Sequence, residues 1–306
     1  MIPLQQAIAG AVAALAAADV PSPRADAELL AGHVLGLTRG ALQARSLGGA
    51  VLDDPEASDY RELVRRRAAR EPLQHLTGVA HFRGLTLRVG PGVFIPRPET
   101  EVVAQFAIDA LAATPVPERP ARSEPGGRDE GSRRDAAPAP RAVDLGTGSG
   151  ALSIALANEV PHSEVWAVEV SPDAFVWAKL NARAAGATNV HLVLGDLADA
   201  LPELDGTVDV VVSNPPYIPS GMIPRDPEVR HFDPELALYG GEDGLDAVRA
   251  LERTAHRLLR SGGTLVIEHA EIQGDAIRAL LAGAGWRAPQ THPDLTGRPR
   301  ATVAVR

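Results

Sequence analysis

Two short segments hold side chains whose types and spacing could do chemistry. The first is Asn214-Pro215-Pro216-Tyr217, which follows the run Val208-Asp209-Val210-Val211-Val212-Ser213. The run reads as a buried strand. A proline fixes φ and removes a backbone donor, and the residue before it is pushed to extended geometry. Asn214 is therefore held extended at a strand tip. Its side-chain carbonyl and the Pro215 carbonyl can point the same way, with Pro216 contributing no N–H to compete and Tyr217 supplying a ring. Two acceptors beside an aromatic face suit a planar –NH2 group. The bland alternative is a proline-rich turn that merely ends a strand.

The second segment is Val143-Asp144-Leu145-Gly146-Thr147-Gly148-Ser149-Gly150-Ala151-Leu152, read as a strand, a glycine-rich turn and a helix start. Glycines let backbone approach a ligand closely. Glu169 lies about twenty residues on, at the tip of the next strand, where a carboxylate can take hydrogen bonds from ribose hydroxyls. Together these features define a nucleoside-binding half-sheet. The turn fits the dinucleotide pattern with Ala151 in the last place. It fits equally the Asp-x-Gly-x-Gly-x-Gly loop of S-adenosylmethionine enzymes, with Asp144 just ahead of the loop to meet a cationic amino group. The loop alone leaves the two cofactors even.

Asn214 to Tyr217 breaks the tie. In a doubly wound sheet, ligands lie over the carboxyl ends of the strands, where both segments fall. An amide grip beside a methyl donor has an obvious use, whereas a hydride acceptor would leave the grip without one. Gly195-Asp196-Leu197 ends a third strand. Asp196 is expected to make a polar contact with an adenine ring and Leu197 to form an apolar lid over it.

The elements that must position these residues can be read from the rest of the chain. With 306 residues, 45% of them hydrophobic, the sequence can form one large or two ordinary domains. It has no cysteine, which removes disulfides and thiolate metal sites and fits a reducing compartment; its nine histidines form no zinc motif. No secretion signal or membrane span is evident, so a cytoplasmic location is expected. A net charge of −9 is opposite to the balance usual for a protein that wraps DNA. The first 70 or so residues carry apolar positions at helical spacing, ending in an arginine-rich helix, 60–70, whose charges read as a solvated face. Alternation and glycines at 81–89 give a β-hairpin. Phe94-Ile95-Pro96-Arg97-Pro98-Glu99-Thr100-Glu101 leads into a helix, 102–111, which Glu99 or Thr100 would cap. Residues 114–140 are rich in Pro, Gly and charge and read as a disordered surface insertion. From 141 onward strand candidates at 142–145, 165–170, 190–194, 208–213, 264–268 and 301–305 alternate with helices. Among these helices is 245–259, with Gly262-Gly263 as its stop. The alternation implies an α/β fold with a mostly parallel sheet covered on both faces.

The sequence resembles the peptide-chain-release-factor glutamine N5-methyltransferases (HemK/PrmC family). The match is carried by the 94–101 segment, by 144–150, by Val212-Ser213-Asn214-Pro215-Pro216-Tyr217-Ile218, and by Pro234-Glu235-Leu236-Ala237-Leu238-Tyr239-Gly240-Gly241-Glu242-Asp243-Gly244-Leu245. Lesser likenesses lie at 26–30, 71–78 and 294–298. The resemblance implies a Rossmann-like class I S-adenosylmethionine-dependent methyltransferase sheet of seven strands, a five-helix N-terminal domain (1–75), a hairpin linker (76–95) and a catalytic domain (96–306); because a folded substrate needs a second contact surface, the helical domain is expected to dock it. It implies a protein substrate, the glutamine of the Gly-Gly-Gln loop of class I release factors. By position, Asn214 and the Pro215 carbonyl would hold the glutamine amide and Tyr217 would pack on it. Residues 146–150 (Gly146, Thr147, Gly148, Ser149, Gly150), Glu169 and Leu197 would line the cofactor. Phe94 would be a lid over the glutamine and Arg97 would lie at the mouth.

Three other readings compete. A DNA adenine-N6 methyltransferase would flip its base into the same acceptors, against the acidic balance. A nicotinamide-dependent dehydrogenase leaves residues 214–217 unused. A binding protein with the fold but no chemistry would have no need of the amide grip.

Overall fold

The computed structural model describes residues 1–115 and 139–306; most of the proposed insertion at 114–140 lies outside them. The chain forms two compact units. The first comprises Met1–Ala80, Arg88–Ile95 and Met222–Pro234, and the second His81–Leu87, Pro96–Gly221 and Glu235–Arg306.

In the first unit a short strand, β1 (Ile2–Pro3), precedes α1 (Leu4–Ala17), α2 (Pro23–Leu35) and α3 (Arg39–Leu47); β2 (Val51–Leu52) then pairs antiparallel with β1, and α4 (Asp54–Ala68) and α5 (Leu73–Thr77) follow. Leu4, Ile8, Ala11 and Leu15 are the buried positions of α1, and they meet Leu30, Leu42, Tyr60 and Val64 in one core. Each buried leucine, isoleucine or valine among them contributes about 1.5–3 kcal/mol by leaving water. A capping box, Asp53 with Glu56, starts α4, and Gly36 ends α2 in the left-handed conformation. Arg61 and Arg65 of α4 lie on the solvated face expected of them, but one arginine departs from it. Arg67 is 5% exposed because Asp26 accepts from it at 2.7 Å and Glu228 lies 2.8 Å away.

The hairpin β3 (Val79–Phe82) and β4 (Leu85–Arg88) links the units along the chain, with its tip in the second. Arg83, at φ 51, occupies that tip. Its backbone N–H donates to Glu101 at 2.8 Å and its guanidinium to Gln105 and Glu159.

The second unit opens with α6 (Thr100–Ala112), whose N-terminus has no side-chain cap. Neither Glu99 nor Thr100 serves as one, because Thr100 is already inside the helix and buried. Next come β5 (Arg141–Leu145), α7 (Ala151–Glu159), β6 (Glu164–Glu169), α8 (Pro172–Ala184), β7 (Val190–Leu194) and β8 (Val208–Ser213). The chain then leaves for the first unit, where it forms α9 (Pro227–Phe232). It returns for α10 (Asp246–Leu258), β9 (Leu259–Glu268), α11 (Gly274–Gly283), β10 (Arg287–Pro293) and β11 (Pro299–Val305).

The seven strands lie in the order β10-β11-β9-β8-β5-β6-β7. Pairing is parallel from β9 to β7, and β11 and β10 add antiparallel. Every residue of β8 is buried, as a strand covered on both faces requires. The cores on the two faces are separate, one around Val103, Ile154 and Val212 and the other around Val211, Leu251 and Ile267.

One more sequence expectation is corrected in this unit. Gly262-Gly263 does not stop α10: Leu259 turns to φ −66, ψ 141 and begins β9 with no loop, so the glycines lie inside the strand. The strand β10 carries polar and proline residues at a sheet edge and showed no alternation to read.

Candidate active site

Chain order reverses at one place in the sheet. From β5 the chain proceeds outward to β6 and β7, then crosses back to β8 on the other side of β5. Such a switch point opens a crevice over the carboxyl ends of the two central strands. The glycine loop follows β5 and residues 214–217 follow β8, so the topology brings both predicted segments to that crevice. A hydroxyl ties the two strand tips together: Ser213 Oγ donates to the Leu145 carbonyl at 2.5 Å.

The loop 146–150 folds over the end of β6, with the Gly146 and Thr147 amides donating to the Val168 carbonyl at 2.9 Å. Gly150 takes φ 85 as the N-cap of α7. A side chain there would meet Ile154 at 2.9 Å and Ala178 at 3.5 Å, so glycine is needed for conformation and for space. At Gly146 and Gly148 an added Cβ would meet nothing within 4 Å; the backbone borders open room on that side.

Asp144 is fully buried. Its Oδ2 accepts from Thr147 Oγ1 at 2.6 Å and from the Ser153 amide at 3.0 Å, while Oδ1 has no hydrogen-bond partner. Burial pushes this carboxyl up to about 6, against the hydrogen bonds from Thr147 and Ser153 that favour its charge. An orphaned buried acceptor costs stability unless something satisfies it, and a cationic amino group would do so. Thr147 and Ser149 are themselves buried. Thr147 braces Asp144, and the Ser149 carbonyl accepts from Asn181 Nδ2 at 2.9 Å, so both shape the loop from behind. Glu169 is fixed by two backbone amides, Gly148 to Oε2 at 2.7 Å and Ser171 to Oε1 at 2.8 Å. Each carboxylate oxygen retains a further lone pair for a ribose hydroxyl. Asp196 is exposed and its Oδ1 accepts from the Ala198 amide at 2.9 Å. Leu197 is half-buried against the core that contains Val168 and Leu201.

On the β8 side, Pro215 is buried and Asn214, Pro216 and Tyr217 are half-buried. Burial drives the Tyr217 phenol well above its ordinary range, and the nearby Glu268 carboxyl adds to the rise. The ring therefore stays neutral. Arg97 is among the charges that act on Tyr217. Phe94 belongs to the first unit and is half-buried there.

Sequence reasoning passed over the residues that hold this segment in place. Gln273 Nε2 donates to the Tyr217 carbonyl at 2.9 Å. The segment 234–245 supplies the rest: the Ile218 amide donates to Leu238 at 2.8 Å and Gly240 donates to Ile218 at 2.9 Å. A Cβ at Gly240 would collide with the Pro216 carbonyl oxygen, and one at Gly244 with that of Tyr217. The glycines of Tyr239-Gly240-Gly241-Glu242-Asp243-Gly244 were thus legible as a motif, but their reason, backbone packed against the Pro216 and Tyr217 carbonyls, was not. Glu268 and Thr100 also meet at Asn214, whose Nδ2 lies 3.4 Å from Thr100 Oγ1. The Thr100 and Asn214 side chains both favour the charged form of the Glu268 carboxyl.

A doubly wound sheet with the glycine loop and residues 214–217 at its switch point, with residues 138–289 matching a family model described as "Methyltransferase domain", defines a Rossmann-like class I methyltransferase. Residues 6–78 match a second model, "PrmC N-terminal domain". A release factor glutamine methyltransferase of Streptomyces coelicolor is 50% identical over 97% of this chain and 96% of its own. One of Mycolicibacterium smegmatis is 44% identical over 100% and 99%. The chain belongs to the release factor glutamine methyltransferase family. A Streptomyces pristinaespiralis relative named 4-amino-L-phenylalanine/4-methylamino-L-phenylalanine methyltransferase is 40% identical over 95% of this chain and 91% of its own.

Proposed function

We propose that this chain methylates the side-chain amide nitrogen, N5, of the glutamine in the Gly-Gly-Gln loop of class I peptide chain release factors, with S-adenosylmethionine as donor. The observation that carries the reading is the placement of Asn214 and Pro215 at the tip of β8, tied through Ser213 to the tip of β5 and its glycine loop.

When bound, S-adenosylmethionine supplies an electrophilic methyl group on a sulfonium. The residues that would hold it are the 146–150 backbone, Asp144 Oδ1 toward its amino group, Glu169 toward the ribose, and Asp196 and Leu197 toward the adenine. The orphaned Asp144 oxygen and the open space beside Gly146 and Gly148 fit that group.

An amide nitrogen is a poor nucleophile because its lone pair is delocalised into the carbonyl. The Asn214 Oδ1 and the Pro215 carbonyl would accept its two N–H bonds, raise its electron density and favour the cationic nitrogen that develops, which stabilises the transition state more than the ground state. Tyr217 would pack on the amide plane. Holding the nitrogen in line at about 3–3.5 Å from the methyl can supply roughly 7–11 kcal/mol of the barrier. No base is needed first, because the proton can leave after transfer. A glutamate would present its carboxylate to two acceptors and be rejected.

The helical region 1–75 is the docking surface for the folded substrate in this reading, and Arg97 borders the glutamine. Translation termination is cytoplasmic, which sets the location of the enzyme. Crosslinks to the release factor that avoid residues 1–75 altogether would remove the docking role.

The test is to incubate the protein with methyl-labelled S-adenosylmethionine and, separately, a release factor, duplex DNA and 4-amino-L-phenylalanine. Label on the loop glutamine is expected. Label only on adenine or only on the arylamine overturns the assignment. Asn214→Ala with cofactor affinity checked separately should be nearly inactive; near-normal turnover would sink the role of Asn214.

A further inference from the structure

Asn214 can act as an acceptor only if its amide points the right way. Its Oδ1 and Nδ2 are nearly equal in size and exchange places by a half-turn of one torsion. The wrong orientation would present two N–H donors to a substrate that also brings N–H donors. Something must therefore fix the polarity of this amide.

The β8–β9 register sets Ser213 beside Ile267, so Asn214 and Glu268 are adjacent strand-tip residues. Glu268 is 1% exposed and the neighbouring Thr100 hydroxyl and Asn214 amide favour the charged form of its carboxyl; its Oε2 has no hydrogen-bond partner. A carboxylate only accepts, so the Asn214 group that faces it is the –NH2. Thr100 repeats the instruction. Its hydroxyl oxygen accepts from Asn214 Nδ2 at 3.4 Å. Oδ1 is left to face away from both.

We infer that Glu268, assisted by Thr100, is the positioning residue that locks the Asn214 amide with Oδ1 toward the substrate –NH2, and that the lock holds only while Glu268 is ionised. This rests on the functional reading above for the identity of the substrate group, but not for the lock itself. A protonated Glu268 could donate to Asn214 Oδ1 and let the amide turn over. Burial pushes this carboxyl up to about 7; Thr100 and Asn214 oppose the rise, as does Arg300 of β11, while Glu99 ahead of α6 adds to it. Tyr217 faces Glu268 from the end of β8 and stays neutral. His269, just past the end of β9, is buried beside Ala270 and Thr302 with its pKa lowered by burial. The acid limb of the pH dependence is thus expected near neutrality.

Two measurements test the lock. In the free wild-type protein, the Asn214 side-chain amide resonances in 15N–1H spectra should titrate with a midpoint near pH 7, and the titration should vanish in Glu268→Gln. In the methyl-transfer assay, wild-type kcat should fall as pH drops through the same midpoint. Glu268→Gln should lose about tenfold in kcat, with the inflection gone and KM and cofactor affinity little changed; tenfold corresponds to about 1.4 kcal/mol of barrier. Glu268→Asp, which keeps an acceptor-only group, should retain an acid limb and also covers the case in which the glutamine variant misfolds. An Asn214 signal indifferent to pH, or a Glu268→Gln enzyme with wild-type rate and pH profile, overturns the inference. Failure of the wild type to label any release factor sinks the functional reading instead and leaves the resonance titration to decide the lock.

Discussion

Ser213 Oγ donates to the carbonyl of Leu145 at 2.5 Å, and neither residue is exposed to solvent. This contact crosses from the strand that ends in the amide grip to the strand that ends in the glycine loop. It ties the two strand tips together beneath the loops that follow them. Ser213→Ala should cost about 1 kcal/mol of stability by leaving a buried carbonyl short of a donor, seen as a lower denaturation midpoint. It should also lower kcat more than it raises KM. An unchanged kcat would show that the remaining β5–β8 ladder sets the spacing alone.

Asp144 gives a stability prediction with a definite sign. Its carboxyl is raised from 3.8 to about 6 in the fold. Between those values the native protein binds more protons than the unfolded chain, so this group's contribution is full below about pH 4 and is lost as pH rises to about 6. The loss is on the order of 3 kcal/mol. Asp144→Asn cannot ionise, so its stability relative to wild type should improve from pH 4 to pH 8 by that order, measured by urea titration at each pH. Its cofactor affinity should fall, because an –NH2 would then meet a cationic amino group where Oδ1 now stands.

Gly240→Ala drives a methyl into the Pro216 carbonyl oxygen and places it 2.7 Å from that of Gly244. Backbone on both sides cannot yield cheaply, so the grip must shift. A displacement of this kind costs about hundredfold in rate. Steady-state kinetics with calorimetric cofactor titration should show a collapsed kcat and near-normal cofactor binding.

Glu228 takes a fork from Arg70 at 2.6 and 2.8 Å and a third contact from buried Arg67. Burial would raise its pKa, but the hydrogen bonds from both arginines hold it down at about 2. Its contribution is therefore present above the unfolded carboxylate pKa and fades as pH falls through about 2. Glu228→Ala should destabilise the helical unit by about 2–3 kcal/mol, as expected for charged hydrogen bonds lost in a buried setting. Hydrogen exchange in α2 and α4 is the direct readout.

The sequence made the sheet and its two motifs legible because both rest on strong local signals. A continuous apolar run marks β8, and prolines and glycines punctuate the loops at the strand tips. The features that escaped are non-local. Glu268 looked like the polar end of a strand, and only the β8–β9 register sets it against Asn214. Arg67 looked solvated because helical spacing cannot announce that Asp26, forty-one residues away, and Glu228 wait on the buried side. The glycines at 262 and 263 looked like a helix stop. Their actual setting, with Gly262 donating to the Arg306 carbonyl and Arg306 donating to that of Gly263, is visible only once the last strand is in place.

The excursion of residues 222–234 has a practical consequence for protein engineering. The helical unit is interleaved with the catalytic one, drawing on three separate stretches of chain. Grafting residues 1–80 from a relative would therefore import foreign partners for a resident Glu228. A working chimera must exchange 222–234 in the same step, so specificity carried by this unit is inherited as a matched set and not as a detachable cassette.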